Sequence, residues 1–377
     1  MRGTKLIVAA SESCADLLYA SNFRAPDDFA FIEHRGRKIL LLSELEIDRA
    51  RRTAAVDEVC ALRDFAPSHK EGTASGKSDY ATILAHFLAS RKIRSASVPP
   101  YFPLELARAL EKKGIRLHTA TLCPEREFKS KCEVTHIAKA CRIAEAGMMR
   151  AFEILRASLI KKHTSVRDAR LSWADRTLTA EILRGEIEMA ILRAGGQSRG
   201  DTIVACGDAA CDPHERGTGA LRAHELIVLD IFPRCTATGY FGDITRTVIR
   251  GHASDAQRQL WQLCLDGQRE ALRMIRPDTA GKKIQDAVLK KFADAGFPKE
   301  QHNGRWRGFF HGLGHGLGLE VHEAPRFTTT TLTAGQVVTV EPGIYWPGIG
   351  GVRHEDVVVI TPTGHRLLTR MAKPFEI

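Results

Sequence analysis

Aromatic residues make up only 7% of the chain, and none of the nine cysteines stands in a CxxC pair. No stretch approaches the 18 or more consecutive apolar residues of a membrane span, so no transmembrane helix and no membrane partner are expected. The cysteines (Cys14, Cys60, Cys123, Cys132, Cys141, Cys206, Cys211, Cys235 and Cys264) are scattered and odd in number. That excludes a disulfide framework and points to reduced thiols in a cytoplasmic protein. The opening MRGTKLIVAASES has an apolar run of about five residues, too short for a secretory core of roughly 7–15. No basic run is interleaved with aromatics. The net charge of +10 is spread over helix-like faces, as at Lys282, Lys283, Lys290 and Lys291, which describes a solvated surface and not a nucleic-acid footprint. Low-complexity segments and evident repeats are also missing.

What remains is an ordinary globular composition, 44% apolar and 27% charged over 377 residues, enough for two domains. In the first, LIVAA, FAFIEH, ILLLS, EVCALR and LHTATL read as strands, and DYATILAHFLASRK and LELARALEKKG as helices. Arg35-Gly36-Arg37 joins two of the strands as a hairpin. This predicts an α/β domain over residues 1–125. Helical patterns follow at about Ser130–Leu159 and Leu178–Arg193, the latter stopped by Gly195-Gly196. Beyond them DTIVACG, LIVLDIF, YFGDITRTVI, QVVTVE and DVVVIT are strand-like. Ser254 and Gln257 form a capping box for a helix at about 255–275. Residues 126–377 are therefore expected to form an α+β domain with a mainly antiparallel sheet.

Residues 311–325, HGLGHGLGLEVHEAP, place three histidines among four glycines at alternate positions. His311 and His315 have the spacing of a helical zinc pair, but glycine costs about 1 kcal/mol relative to alanine inside a helix. Alternating glycine suits an extended segment that another backbone or a ligand approaches closely. In a straight strand His315 and His322 would point to opposite faces, so both can reach one site only across a bend.

Carboxylates supply the complement. Asp230 follows LIVL and Asp243 precedes ITRTVI, so both belong to apolar strands and not to the hairpin tip around Thr236–Gly239. Their odd separation lets them face each other across the ladder if the turn holds an even number of residues. A buried acid without a counter-charge is costly. Glu341 ends another apolar strand, and Glu355 opens the next after a Pro/Gly-rich loop, with Asp356 as the alternative to Glu355. Four carboxylates balance two divalent cations, and two-metal sites hold ions about 3.5–4 Å apart around a shared water. Mostly oxygen donors with one imidazole favour manganese or cobalt over a thiolate-type zinc site, with zinc or iron as the remaining options.

Asp230…Asp243, HGLGHGLGLEVHEAP, Glu341-Pro-Gly and Glu355-Asp together resemble the pita-bread metallopeptidases, which include methionine aminopeptidase, Xaa-Pro aminopeptidase, prolidase and creatinase. The first domain is similar to the amino-terminal domain of creatinase and prolidase. The resemblance implies a curved, mainly antiparallel catalytic domain, two metal ions per subunit and a homodimer. It implies that Asp230, Asp243, His315, Glu341 and Glu355 ligate metal, with Asp243 and Glu355 bridging. It assigns His322 to catalysis on the substrate and Glu341 to proton transfer. His311, Arg353 and Tyr345 would line the substrate site. His214 in CDPHERGTG resembles a further substrate-side histidine but stands one residue closer to Asp230, and the Asp230–Asp243 interval is two residues longer than usual. The reaction implied is hydrolysis of the Xaa-Pro bond at the amino terminus of peptides or in dipeptides. A metal-free creatinase-like C–N hydrolase and a non-catalytic interaction protein are the alternatives, and the five retained ligand positions argue against both.

Overall fold

The runs around Leu6–Ala9 and Ile39–Leu42 are apolar at consecutive positions, the signature of strands covered on both faces. In the computed structural model, which describes residues 3–67, 79–161 and 169–377, they lie in the unit Met1–Arg126. Its six-stranded sheet runs Glu58–Ala61, Arg37–Leu42, Phe29–His34, Lys5–Ala9, Ser95–Val98, Arg116–Thr119. The three strands Arg37–Leu42, Phe29–His34 and Lys5–Ala9 pair antiparallel, and the outer strands add in parallel. Leu6, Val8, Ile32 and Leu41 face the helices Tyr80–Ser90 and Leu104–Lys112, while Ile7, Phe31 and Leu40 pack with Leu17 and Ile47 from the helices Ala15–Ser21 and Ile47–Thr53. Arg35 and Gly36 both take positive φ, 53° and 79°, the requirement of the tight hairpin read from the sequence.

The second unit, Glu127–Ile377, carries the acids and histidines. One antiparallel sheet contains Ile203–Cys206, Leu226–Ile231 and Ile244–Ile249. Another runs Glu323–Arg326, His315–Gly316, Val337–Val340, Asp356–Thr361, Gly364–Leu367, and the hairpin Gly343–Trp346/Gly350–Arg353 accompanies them. The helices Lys131–Ala157 and Ala180–Arg193 cover Ile227, Leu229 and Val248, and Asp255–Met274 with Gly281–Asp294 covers Leu226, Val338, Val340 and Val358. Ser254 and Gln257 make the expected capping box, and Ser130 with Glu133 makes a second one at the start of the long helix. Among the described residues no helix is long and apolar enough to cross a membrane.

Two placements bring the long helix and the sheet into register with the acids. A side chain on Gly242 would put its Cβ 2.3 Å from the Ala140 carbonyl carbon of the helix, so the residue before Asp243 must be bare. Asp230 stands opposite Thr245, not Asp243, because Ile231 pairs with Ile244. Asp243 lies one residue before its strand, so it is the diagonal neighbour, the relation that spaces Cα atoms about 7–8 Å apart. The odd separation keeps both acids on one face, but the paired residue is a threonine.

Candidate metal centre

Asp243 and Glu355 are buried at the ends of apolar strands, and His315 enters between them from the glycine-rich segment. Potential ligand atoms of these three residues all lie within 4.8 Å of one another. His315 Nε2 is 3.8 Å from Asp243 Oδ2 and 3.2 Å from Glu341 Oε1. Two threonines hold this arrangement. Thr245 donates its hydroxyl to Glu355 Oε2 at 2.8 Å. Thr339 donates to Glu341 Oε1 at 3.2 Å while its oxygen accepts the His315 backbone N–H. Neither threonine stands out in the sequence, where each is one β-former within a strand.

Asp356, the alternative to Glu355, turns away. It pairs with Arg246 at 2.8 Å and Lys373 at 2.5 Å and accepts from Thr369. Arg246, fully buried, also donates to the Glu355 backbone carbonyl. One acid of the Glu-Asp pair thus faces the cluster, and its neighbour anchors the strand from behind.

The electrostatics are those of a cation site. Burial first, then Glu355, Asp230 and Glu341, push the Asp243 carboxyl well above the ordinary carboxylate range. Burial, with Glu341 and Asp230, likewise raises Glu355. Against the upward push of burial, the hydrogen bond from His315 holds Glu341 low, and against the downward push of burial Glu341 holds His315 protonated. Asp230 Oδ2 accepts from Arg353 at 2.6 Å, but its Oδ1 is buried without a partner. Without cations, these acids have to share protons. Four convergent carboxylates, one imidazole and an orphaned carboxylate oxygen therefore fit a pair of divalent cations, whose binding displaces those protons.

A polar chain runs from the acids to His311. Arg353 Nη1 donates to the Tyr345 hydroxyl at 2.9 Å, and that oxygen is 2.8 Å from His311 Nε2. Burial lowers His311 to about 4, so its imidazole is neutral at pH 7. With Nδ1 donating to the Gly312 carbonyl at 2.8 Å, Nε2 is left to accept from Tyr345. A Cβ on Gly343 would lie 2.4 Å from the Tyr345 oxygen, which explains the glycine after Glu341-Pro. His322 sits edge-on to His315 with ring centroids 4.3 Å apart. The bend that brings the two rings together is a register shift at His315/Gly316 against Glu323–Arg326.

The acids and histidines of the cluster open onto a cavity of about 770 Å³. Asp230, Asp243, His315, Glu341 and Glu355 line its floor together with Arg353, and His311, His322 and His214 line it as well. His214 is at an exposed position in the loop after Asp212, whose carboxylate accepts its backbone N–H. Tyr345 does not line the cavity but stands behind His311. Phe232, Phe310, Ile203, Arg199 and Asp201 are among the other wall residues; their types carry no signal that marks them beforehand.

The profile of metallopeptidase family M24 matches residues 135–362. The chain is 31% identical to an Xaa-Pro dipeptidase of Pyrococcus horikoshii over 280 residues, 73% of this chain and 72% of that protein. It is 32% identical to an Xaa-Pro dipeptidase of Pyrococcus furiosus over 250 residues, 65% of this chain and 64% of that one. Among solved structures, the prolidase from Pyrococcus horikoshii superposes with a TM-score of 0.77 at 25% identity, covering 98% of this chain and 94% of that one. The X-Pro aminopeptidase of Thermotoga maritima shares the fold, with a TM-score of 0.80 at 23% identity over 99% of this chain and 97% of that one.

Proposed function

This chain belongs to metallopeptidase family M24, and from that premise we propose that it hydrolyses Xaa-Pro bonds at the amino terminus of short peptides, dipeptides above all. The observation that carries this reading is the convergence of four carboxylates and His315 on the floor of a cavity whose wall holds His311 and His322. In this reading Asp230, Asp243, His315, Glu341 and Glu355 would hold two divalent ions. The oxygen-rich donor set with one imidazole favours manganese or cobalt. When bound, the ions supply an activated water and a polarised carbonyl.

The chain's own side chains do the rest. Arg353 fixes Asp230 through the 2.6 Å hydrogen bond and, through Tyr345, orients the neutral ring of His311. His322, at the cavity wall and not among the clustered acids, donates to the substrate carbonyl as charge develops on it. Glu341 takes the proton of the attacking water and passes it to the departing proline nitrogen. His214 lies at the rim, beside the entering peptide.

An adjoining cavity of about 460 Å³ shares Gly314, His315 and His322 and is lined further by Glu323, which is ion-paired with Lys129, and by Ala324, Arg326, Phe327 and Thr328. Arg326 is the cross-strand partner of His315, and a guanidinium there suits the free carboxylate of a dipeptide. That favours dipeptides over longer chains. We also take the chain to act in the cytoplasm, on the strength of its scattered thiols, and as a homodimer, on the strength of its family resemblance.

Metal analysis and hydrolysis assays on the purified protein test this directly. Manganese-loaded protein is expected to cleave an Xaa-Pro dipeptide faster than an Xaa-Pro tripeptide, to lose activity to a chelator and to regain it with manganese or cobalt. Asp243→Asn and Glu355→Gln should each lower activity by at least about a hundredfold, more than the loss typical of residues that merely support a ligand. Normal turnover with a full metal complement in either variant would remove the metal assignment, and full activity in chelated protein would favour a creatinase-like hydrolase.

A further inference from the structure

One strong ion pair has no part in the scheme above. Lys129 donates from Nζ to Glu323 Oε1 at 2.7 Å, with side-chain exposures of 1% and 6%. Glu323 follows His322 directly. Its other oxygen, Oε2, accepts the backbone N–H of Glu320 at 3.1 Å, closing the turn that presents His322. The carboxylate occupies the space a side chain on Gly318 would need, since a Cβ there would lie 2.3 Å from Glu323 Oε1. Gly318 in turn accepts from Phe241 N–H at 2.8 Å, which ties the turn to the hairpin carrying Asp243. At its far end Lys129 is fixed by its own backbone N–H, which donates to the Gly335 carbonyl at 2.7 Å. It immediately precedes Ser130, the N-cap of the long helix.

We propose that Lys129 and Glu323 are a positioning pair that sets the pose of His322 over the metal centre. Neither group lines the main cavity, and Glu323 lines the adjoining one. A buried pair of this kind contributes little net stability against an apolar replacement, but removing one partner weakens what holds the other in place. Without this ion pair the carboxylate of Glu323 is held less firmly, its grip on the Glu320 amide loosens, and the pose of the adjacent His322 shifts with it. Lys129 acts through this turn on the reacting carbonyl. The proposal rests on the Xaa-Pro peptidase reading for its kinetic arm but not for its structural arm.

The test uses full-length, metal-loaded Lys129→Met, alone and combined with His322→Ala. Three quantities are read: kcat and KM on an Xaa-Pro dipeptide, metal content, and hydrogen exchange of the peptide spanning residues 318–323. Expected is a kcat lowered tenfold or more with KM changed less than threefold, a full metal complement, and exchange of the 318–323 amides at least tenfold faster. In the His322→Ala background Lys129→Met should cost less than a further twofold, because the group it positions is gone. Where Lys129→Met does not fold, Lys129→Arg takes its place. It keeps the charge but displaces the donor, and should show the same pattern with at least a threefold fall in kcat. Unchanged kcat and exchange in a folded variant overturn the proposal, as does an equal loss of kcat with and without His322. Wild-type protein that fails to cleave Xaa-Pro peptides while the exchange responds as stated would refute the peptidase reading and leave the pair standing.

Discussion

His315 and His322 have touching rings and separate tasks in the proposed reading, and two substitutions distinguish them. His315→Ala removes the one imidazole facing Asp243 and Glu341 and should lose or weaken one ion. His322→Ala should keep both ions and lower kcat by about a hundredfold, the lower range for a group acting in proton transfer or charge stabilisation. Metal analysis beside peptide hydrolysis decides it, and loss of metal from His322→Ala alone would reverse the two roles. His311 makes a different prediction, about pH. Burial holds its folded-state pKa at about 4, below the ordinary value of about 6.5. On acidification the unfolded chain therefore takes up this proton first, and stability falls as pH drops from about 6.5 to 4. The His311 contribution is fully present above that window. Urea unfolding at pH 7, 6 and 5 should show a shallower acid-side decline in His311→Gln than in wild type, and parallel declines would contradict the neutral buried ring.

At the level of helices and strands, the contact between the long helix and the Asp243 hairpin is backbone against backbone. Gly242→Ala would drive a methyl group into the Ala140–Cys141 peptide, and overpacking of this kind costs about 1–3 kcal/mol. A lower denaturation midpoint together with weakened metal binding is expected; a wild-type midpoint would show that the helix can retreat without consequence. The elements themselves were largely legible in the sequence. Long alternating or continuous apolar runs identified the strand that carries Asp230 and the strands that Asp243, Glu341 and Glu355 adjoin, and the capping box at Ser254 marked a helix start. The register between the first two strands was not legible, because alternation fixes which face a residue occupies and not which residue it meets. For that reason Thr245, opposite Asp230, escaped notice. The choice between Glu355 and Asp356 depended on Arg246 and Lys373, and periodicity does not reveal partners so far away along the chain. Ala15–Ser21 and Ile47–Thr53 are too short for a helical period to show, and SASV at Ser95–Val98 has too few β-branched residues to read as a strand.

For the whole molecule, metal-free protein is a self-repelling object at one spot. Ions at about 100 times their dissociation constant stabilise a fold by about 2.7 kcal/mol. For a unit of this size that corresponds to a shift of roughly 5–10 °C. Calorimetry before and after chelation should show a loss of that order, restored by manganese; an unmoved transition would mean the acids hold no ion tightly. The composition arguments also belong at this scale. Net charge and cysteine spacing narrowed the class of protein, while the candidate cluster stood out because carboxylates lay where apolar strands left no bland reason for them.

The glycines between the histidines leave a record of a kind different from stability or turnover. A methyl group at Gly314 would meet the Thr339 carbonyl at 2.0 Å, one at Gly316 the Ala324 carbonyl at 2.3 Å, and one at Gly318 the Glu323 carboxylate. Gly312 has nothing closer than 3.8 Å. A library of every single substitution, selected for function, should therefore read as a comb across this segment. Positions 314 and 316, which face main chain, should survive only as glycine; 318, which faces the end of the Glu323 side chain, should tolerate alanine poorly; and 312 should accept alanine and serine. Drift among descendants of this chain is then confined to the first tooth. The spacing between the two site histidines is frozen by the main chain of the neighbouring strands, before any demand that catalysis makes on it.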